Sequence, residues 1–342
     1  MRKYEYLIRP EIAKLESNKS LIPSFSLGPT LDEYSGPNPS SIQISFNVKN
    51  GVLRPPDISN KFYLYHGAEN SDQIYYKKNA GFGIRLVLYL KNLFKNTELT
   101  VNAPYYKYVR VRLDNVYPPG VHLADILSVN LLKRRFTPLH CAAIASQGEA
   151  SLLVAPPDTG KTVTTLLGLN KGYSYLAQDI AVVDDEHVYI NPYTSTFVHN
   201  KEFKGGNVLN KFLIRFPKKI PILSAYLTPR ISVSNIIRNF KVDGIAKIKN
   251  VFILDRGKSK IEVIQADEAA RRTTIINRNE FSYYKNPLLL AYSYFNPVLN
   301  LNQLMRTEED LIKTITRKSD CFIIKTFEPR EYIELVSKAL KR

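Results

Sequence analysis

Ile42, Ile44, Phe46 and Val48 alternate with polar partners, a period of two that predicts a half-buried strand. A second alternation over residues 108–113 predicts another, and stretches 61–66 and 73–77 read as further strands. Residues 83–94 fit either a strand or a helix. Residues 1–40 lack such a pattern and contain the turn-rich Ser35-Gly36-Pro37-Asn38-Pro39, so they are expected to form an irregular arm. From residue 121 to 135 the period changes: Leu123, Ile126, Leu127, Val129, Leu131 and Leu132 are spaced for a helix that ends in Lys133-Arg134-Arg135. A boundary belongs there, dividing a β-rich region over 1–130 from a second domain over 131–342.

The second domain opens with two apolar segments, 139–145 and 151–154, joined at Gln147-Gly148-Glu149 as a hairpin. A loop over 155–162 follows, then a helix over 163–169 that Gly172 stops. A strand over 175–183 carries Gln178 and Asp179, and Asp185-Glu186-His187 reads as a turn between apolar runs. Residues 191–209 are loop-like and include Gly205-Gly206. Segments 249–255 and 261–265 suggest a hairpin about Arg256-Gly257-Lys258, and a helix begins over 267–272. A strand over 321–325 and a helix over 329–340 follow. Strand, loop, helix and strand in this order predict an α/β nucleotide-binding core with a mixed sheet.

Composition narrows the class. Of 342 residues 44% are hydrophobic, and tyrosine and phenylalanine are abundant, which excludes wholesale disorder. No apolar run reaches bilayer length, and Met-Arg-Lys-Tyr-Glu-Tyr lacks the apolar core of a signal peptide, so a cytoplasmic protein with no membrane partner is expected. Cys141 and Cys321, far apart, form neither a disulfide framework nor a metal-ligand spacing. The net charge of +17 fits an anionic partner or an ordinary lysine-rich solvated surface alike, and much of the excess lies in residues 201–260, where Glu202, Asp243 and Asp255 are the only acids. No helix-turn-helix, zinc spacing or aromatic-basic signature points to nucleic acid, and the alternating aromatics read as sheet packing.

The loop carries the chemistry. Ala155-Pro156-Pro157-Asp158-Thr159-Gly160-Lys161-Thr162 matches the phosphate-loop pattern G-x-x-x-x-G-K-[ST], with Ala155 in place of the first glycine. Successive backbone N–H groups and the following helix N-terminus suit phosphate oxygens. Lys161 is expected on the β- and γ-phosphates and the Thr162 hydroxyl on Mg²⁺, while Gly160 lets the backbone approach closely. Asp179 is placed to hold Mg²⁺ or to accept an acceptor proton, ahead of the competing pair Asp184 and Asp185. His140, at the head of strand 139–145, fits a structural or a catalytic histidine by pattern alone.

Pro138-Leu139-His140-Cys141-Ala142-Ala143-Ile144, the strand Leu152-Leu153-Val154 with its loop, and Gly172-Tyr173-Ser174-Tyr175-Leu176-Ala177-Gln178-Asp179 together resemble the kinase core of the HPr serine kinase/phosphorylase family. Glu202-Phe203-Lys204-Gly205-Gly206 resembles that family's E-x-[RK]-G segment. Residues 322–340 resemble the ends of divergent HPr-kinase-like proteins that accompany peptide-modifying genes. The resemblance implies a P-loop kinase core related in fold to phosphoenolpyruvate carboxykinase, with ATP and Mg²⁺ as cofactors. It implies Ala155, Pro156, Pro157, Asp158, Thr159, Gly160, Lys161, Thr162 and Val163 around the nucleotide. Thr162, Asp179 and Glu202 are implied on the metal, and His140, Lys161 and Asp179 in catalysis. The implied acceptor is a serine of a peptide or small protein, and sister subunits are admitted as partners. The first aspartate of the family's pair is Gln178 here, while Arg271, Arg272 and Arg278 are each available to the transition state. The alternative is a nucleotide-binding regulator, with or without nucleic-acid contact, that does not transfer phosphate.

Overall fold

The computed structural model describes residues 4–7, 12–20, 22, 41–51, 53, 60–111, 116–191 and 240–341. The chain is mixed α/β with two mixed sheets, and it divides into two compact units. One comprises Met1–Lys133 with Ser282–Met305, the other Arg134–Phe281 with Arg306–Arg342. They are not contiguous blocks of 1–130 and 131–342, because Ser282–Met305 groups with the first.

In the first unit, strands β1 (Tyr4–Leu7), β2 (Ala13–Ser17), β3 (Ile42–Lys49), β4 (Asn60–Phe62), β5 (Tyr65–Gly67), β6 (Gln73–Asn79), β7 (Arg85–Lys91) and β8 (Asn96–Asn102) form one sheet. Their order is β1-β2-β3-β8-β7-β6-β5-β4. Ile42, Ile44, Phe46 and Val48 are buried, as the alternation requires. Strands β1 and β2 replace part of the expected irregular arm, whose residues 1–3, 8–11, 21 and 23–40 lie outside the described residues. Residues 61–66 hold the β4–β5 hairpin rather than one strand, since Tyr63 turns the chain at φ 53. Residues 83–94 resolve to a strand, β7.

Residues 112–113 lie outside the described residues, and over 108–111 the strand expected for 108–113 is instead part of the helix Ala103–Val111. Its cause is local: Asn102 Oδ1 accepts the Tyr105 N–H at 3.0 Å, an N-cap bond, and Pro104 sits in the first turn. Burial of Tyr105, Tyr106 and Val109 follows the helical face, which a short aromatic alternation mimics. The helix Pro119–Lys133 comes next, within two residues of the expected bounds at either end. It is buried almost all round and brings His122 and Asp125 inside with it. Asn286 caps the helix Pro287–Phe295 through Leu288 N, and its side chain also meets Asp125 Oδ2 at 2.5 Å and His122 Nδ1 at 3.3 Å.

In the second unit, strands β9 (Thr137–Leu139), β10 (Cys141–Ser146), β11 (Glu149–Val154), β12 (Ser174–Ala177), β13 (Ala181–Val183), β14 (His187–Tyr189), β15 (Ile245–Asp255), β16 (Lys260–Val263) and β17 (Asp320–Lys325) share a nine-stranded sheet. The expected β10–β11 hairpin is present, turned by Gln147 and Gly148 at φ 53 and 81. β11, β15 and β17 run parallel at the centre. Ala143, Leu152, Val154, Ile253 and Ile323 face one side with Ala269 and Ile312. Ala142, Ile144, Leu153, Phe252 and Ile324 face the other with Tyr332 and Val336.

Two expectations fail in this sheet. β15 and β16 are not a hairpin, because β17 lies between them, parallel to β15 and antiparallel to β16. Asp179 is not within a strand: residues 178–179 form a bend at φ 67 for Asp179, separating β12, beside β10, from β13, beside β9 and β14. The turn expected at 185–187 joins β13 to β14 through Asp185 and Glu186, His187 being the first residue of β14. Helices Ala266–Glu280, Leu301–Arg317 and Tyr332–Ala339 complete the elements, the second grouping with this unit from Arg306 onward. Most of the basic stretch 201–260 lies outside the described residues, Glu202 and Gly205-Gly206 included. Among the described residues no helix is long and apolar enough to cross a membrane.

Candidate functional site

β11 delivers a buried apolar run to Val154 and Ala155, after which the chain turns through residues 156–160 into the helix Lys161–Asn170. Thr159 Oγ1 donates to Pro156 O at 3.0 Å and closes the turn. Asp158 adopts φ 59, the left-handed conformation that aspartate tolerates better than most residues. Gly160 sits at φ 129, and a Cβ there would lie 3.0 Å from Pro329 Cβ. Only glycine meets both demands. The helix starts without a side-chain cap and without an acid in its first turn, leaving its leading N–H groups directed at the loop. Its predicted stop holds, with Gly172 at φ 93.

The first helical residue, Lys161, is only 5% exposed. Its Nζ donates to Ala155 O at 2.6 Å and Pro156 O at 3.1 Å, and lies 3.0 Å from His140 Nε2. Three acceptors match the three ammonium protons, which is what burying this charge requires. Burial pulls the Lys161 pKa down, while Asp179, Cys141, Glu280 and Asp158 pull it up. Burial, and then the Lys161 charge, push His140 down to about 3. The imidazole is therefore neutral, with its lone pair on Nε2 toward Lys161 and its proton on Nδ1, which faces Glu280 Oε2 at 3.9 Å.

Helix Ala266–Glu280 fixes this histidine from behind. Asn277 Oδ1 accepts the His140 N–H at 2.8 Å, and Asn277 Nδ2 donates to Pro138 O at 3.1 Å and to buried Glu308. Asn277 and Glu280 lie three residues apart on one helical face, but their role depends on β9–β10 docking beside them. Nothing in the local pattern marks them. The arginines singled out from the sequence are engaged by carboxylates: Arg271 and Arg272 by Glu268, Arg278 by Glu309. The arginine bonded to the loop is Arg256, whose Nη2 donates to Asp158 O at 2.7 Å.

Gln178 is fully buried and joins the loop helix to the bend. Its Nε2 donates to Thr162 Oγ1 at 2.9 Å and to Asp179 Oδ1 at 3.3 Å, while its Oε1 is buried without a partner. Asn191 steadies the bend by donating from Nδ2 to Ile180 O at 2.8 Å. Lys161, Thr162, Asp179 and His140 thus gather about one loop, whereas Asp184 and Asp185 do not join them. Asp184 accepts from His187 N and Tyr189 Oη, and Asp185 pairs with Lys318 at 3.1 Å.

The donor set at Thr162 suits a small hard cation, because a hydroxyl and a carboxylate oxygen stand close enough for one amide nitrogen to touch both. The orphaned Gln178 Oε1 is a further oxygen in the same cluster. No group of three or more His, Cys, Asp and Glu with metal-binding geometry occurs among the described residues. In comparisons with known proteins, no family model matches the chain and no curated protein matches it.

Proposed function

We propose that the second unit is a P-loop kinase core of the HPr-kinase-like kind, which transfers the γ-phosphoryl group of ATP to a serine hydroxyl of a peptide or small protein. The observation that carries this reading is the buried Lys161 ammonium, folded under its own loop onto Ala155 O, Pro156 O and His140 at the uncapped start of a helix. Backbone carbonyls there occupy an ammonium that phosphate oxygens would take with stronger, charge-assisted bonds. The helix N–H groups of Lys161, Thr162 and Val163 add fixed positive potential at the same point.

The residues divide the work. Residues 155–160 wrap the phosphates, held closed by Arg256 on Asp158. Lys161 follows the negative charge onto the β- and γ-phosphates, with neutral His140 as its lateral support. Thr162 and Asp179 would hold Mg²⁺, which when bound neutralises charge on the phosphates. Asp179 accepts the proton of the acceptor hydroxyl as its oxygen bonds to the γ-phosphorus and the bond to the bridging oxygen of ADP breaks.

The test is transfer of label from γ-labelled ATP to a pooled serine-peptide library, with wild type and Asp179→Asn side by side. Transfer by wild type and its loss, by about 100-fold or more, in the variant is expected while ATP binding persists. ATP binding with no transfer by either protein overturns the kinase reading. One observation favours the second reading, a nucleotide-binding regulator: Gln178 places a neutral amide where the family has a carboxylate.

A further inference from the structure

A basin of about 1070 Å³ opens in the first unit between the β6–β7 hairpin and the helix Ala103–Val111. Its floor is closed and apolar. Tyr75 is buried with its hydroxyl on Leu53 O at 3.1 Å. Asn102 Oδ1 accepts from Val87 N and Tyr105 N and its Nδ2 donates to Arg85 O, so the buried amide is tied to neighbouring backbone. The rim differs. Lys77, Arg85 and Lys107 stand exposed around it, none in an ion pair with a described residue, and no carboxylate is among the described lining.

The hairpin tip adds an apolar arm. Gly81-Phe82-Gly83 runs at φ 85, 47 and 74, which puts the Phe82 ring fully into solvent, with Ile84 half-exposed beside it. An aromatic residue in the left-handed region is strained, and no described residue packs on this one to offset it. The ligand must therefore carry negative charge for the rim and apolar surface for Phe82 and Ile84. The volume stands at the upper end of the roughly 300–1,000 Å³ of small-molecule clefts, and with three cations spread around the rim it has room for an extended segment. A single-stranded nucleic acid stacks on successive open rings. Among the described lining residues only the Phe82 ring is open, since Tyr75 is buried and Tyr108 half-buried.

We propose that this basin is a docking site for an acidic peptide segment that carries an aromatic or aliphatic anchor. Its carboxylates meet Lys77, Arg85 and Lys107, and its anchor packs between Phe82 and Ile84. The site belongs to the first unit alone and stands whether or not the second unit transfers phosphate.

A random-peptide phage library selected on the full chain, without nucleotide, tests this. The expected winners combine Asp or Glu with Phe, Tyr, Trp or Leu, and a labelled winner binds less tightly as salt rises. Its affinity falls about tenfold in Lys77→Glu/Lys107→Glu and about fivefold in Phe82→Ser, all exposed positions whose exchange leaves the fold intact. The proposal is overturned by no enrichment, by winners that bind both variants as well as wild type, or by oligothymidine that binds more tightly than the winning peptide and displaces it.

Discussion

Lys161 Nζ and His140 Nε2 meet at 3.0 Å, so the ammonium and the lone pair of a neutral imidazole fix one another. In Lys161→Met the imidazole loses that charge, and the His140 pKa rises from about 3 while staying below its ordinary 6.5, because burial remains. The ¹⁵N shifts of His140 in a pH series report this directly. Wild type shows a neutral ring from pH 5 to 8, and a wild-type midpoint near 6.5 contradicts the arrangement. The same substitution leaves Ala155 O and Pro156 O without their donor, costing about 1–3 kcal/mol, and abolishes measurable ATP binding by calorimetry.

Gly160→Ala sets a side chain against both backbone and neighbour, at φ 129 and 3.0 Å from Pro329 Cβ. The expected loss is about 1–3 kcal/mol of stability, read as a lowered thermal midpoint, with weaker nucleotide binding. An unchanged midpoint would show that the loop accepts a different backbone.

Asn277→Leu removes three bonds at once, to His140 N, Pro138 O and Glu308. Glu308 is 1% exposed, and in the variant its buried carboxylate keeps Arg278 Nε at 3.9 Å but loses the Asn277 donor. The variant loses about 1–3 kcal/mol in denaturant unfolding. Adding Glu308→Gln to the same chain recovers part of it, an outcome a simple packing defect would not give.

Much of this arrangement is legible in the chain and part is not, for physical reasons. The loop, its strand and its helix stand out because Gly160, Lys161 and Thr162 are contiguous and their flanks have clear periods. Tyr108 and Val109 mislead, since a short aromatic alternation fits a strand until Asn102 caps a helix over it. Asn277 and Glu308 are invisible to local reading because their partners are far away in sequence. Asp179 stands out by its apolar neighbours, but its left-handed backbone and its amide bridge through Gln178 arise only when β12 parts from β13.

Two buried groups on the helix Pro119–Lys133 oppose each other in acid. Burial lowers His122 from 6.5 to about 4 and raises Asp125 from 3.8 to about 6. Unfolding lets His122 take up a proton below pH 6.5, so its contribution is lost as pH falls toward 4. Asp125 releases a proton on unfolding above pH 3.8, so its contribution is lost as pH rises toward 6. The slopes cancel between about pH 4 and 6. Asp125→Asn leaves His122 unopposed, and urea unfolding across that range steepens by up to about 1.4 kcal/mol per pH unit. Parallel curves for the two proteins would rule out the pairing.

The place of β17 between β15 and β16 bears on how the protein is made. A ribosome delivers β15 and β16 long before Asp320–Lys325, so both wait with unpaired edges while more than fifty residues are added between β16 and β17. Pro329, which presses on Gly160, arrives later still. The loop over 155–160 therefore matures near the end of synthesis, and chains interrupted before residue 320 should depend on chaperones to cover the open sheet.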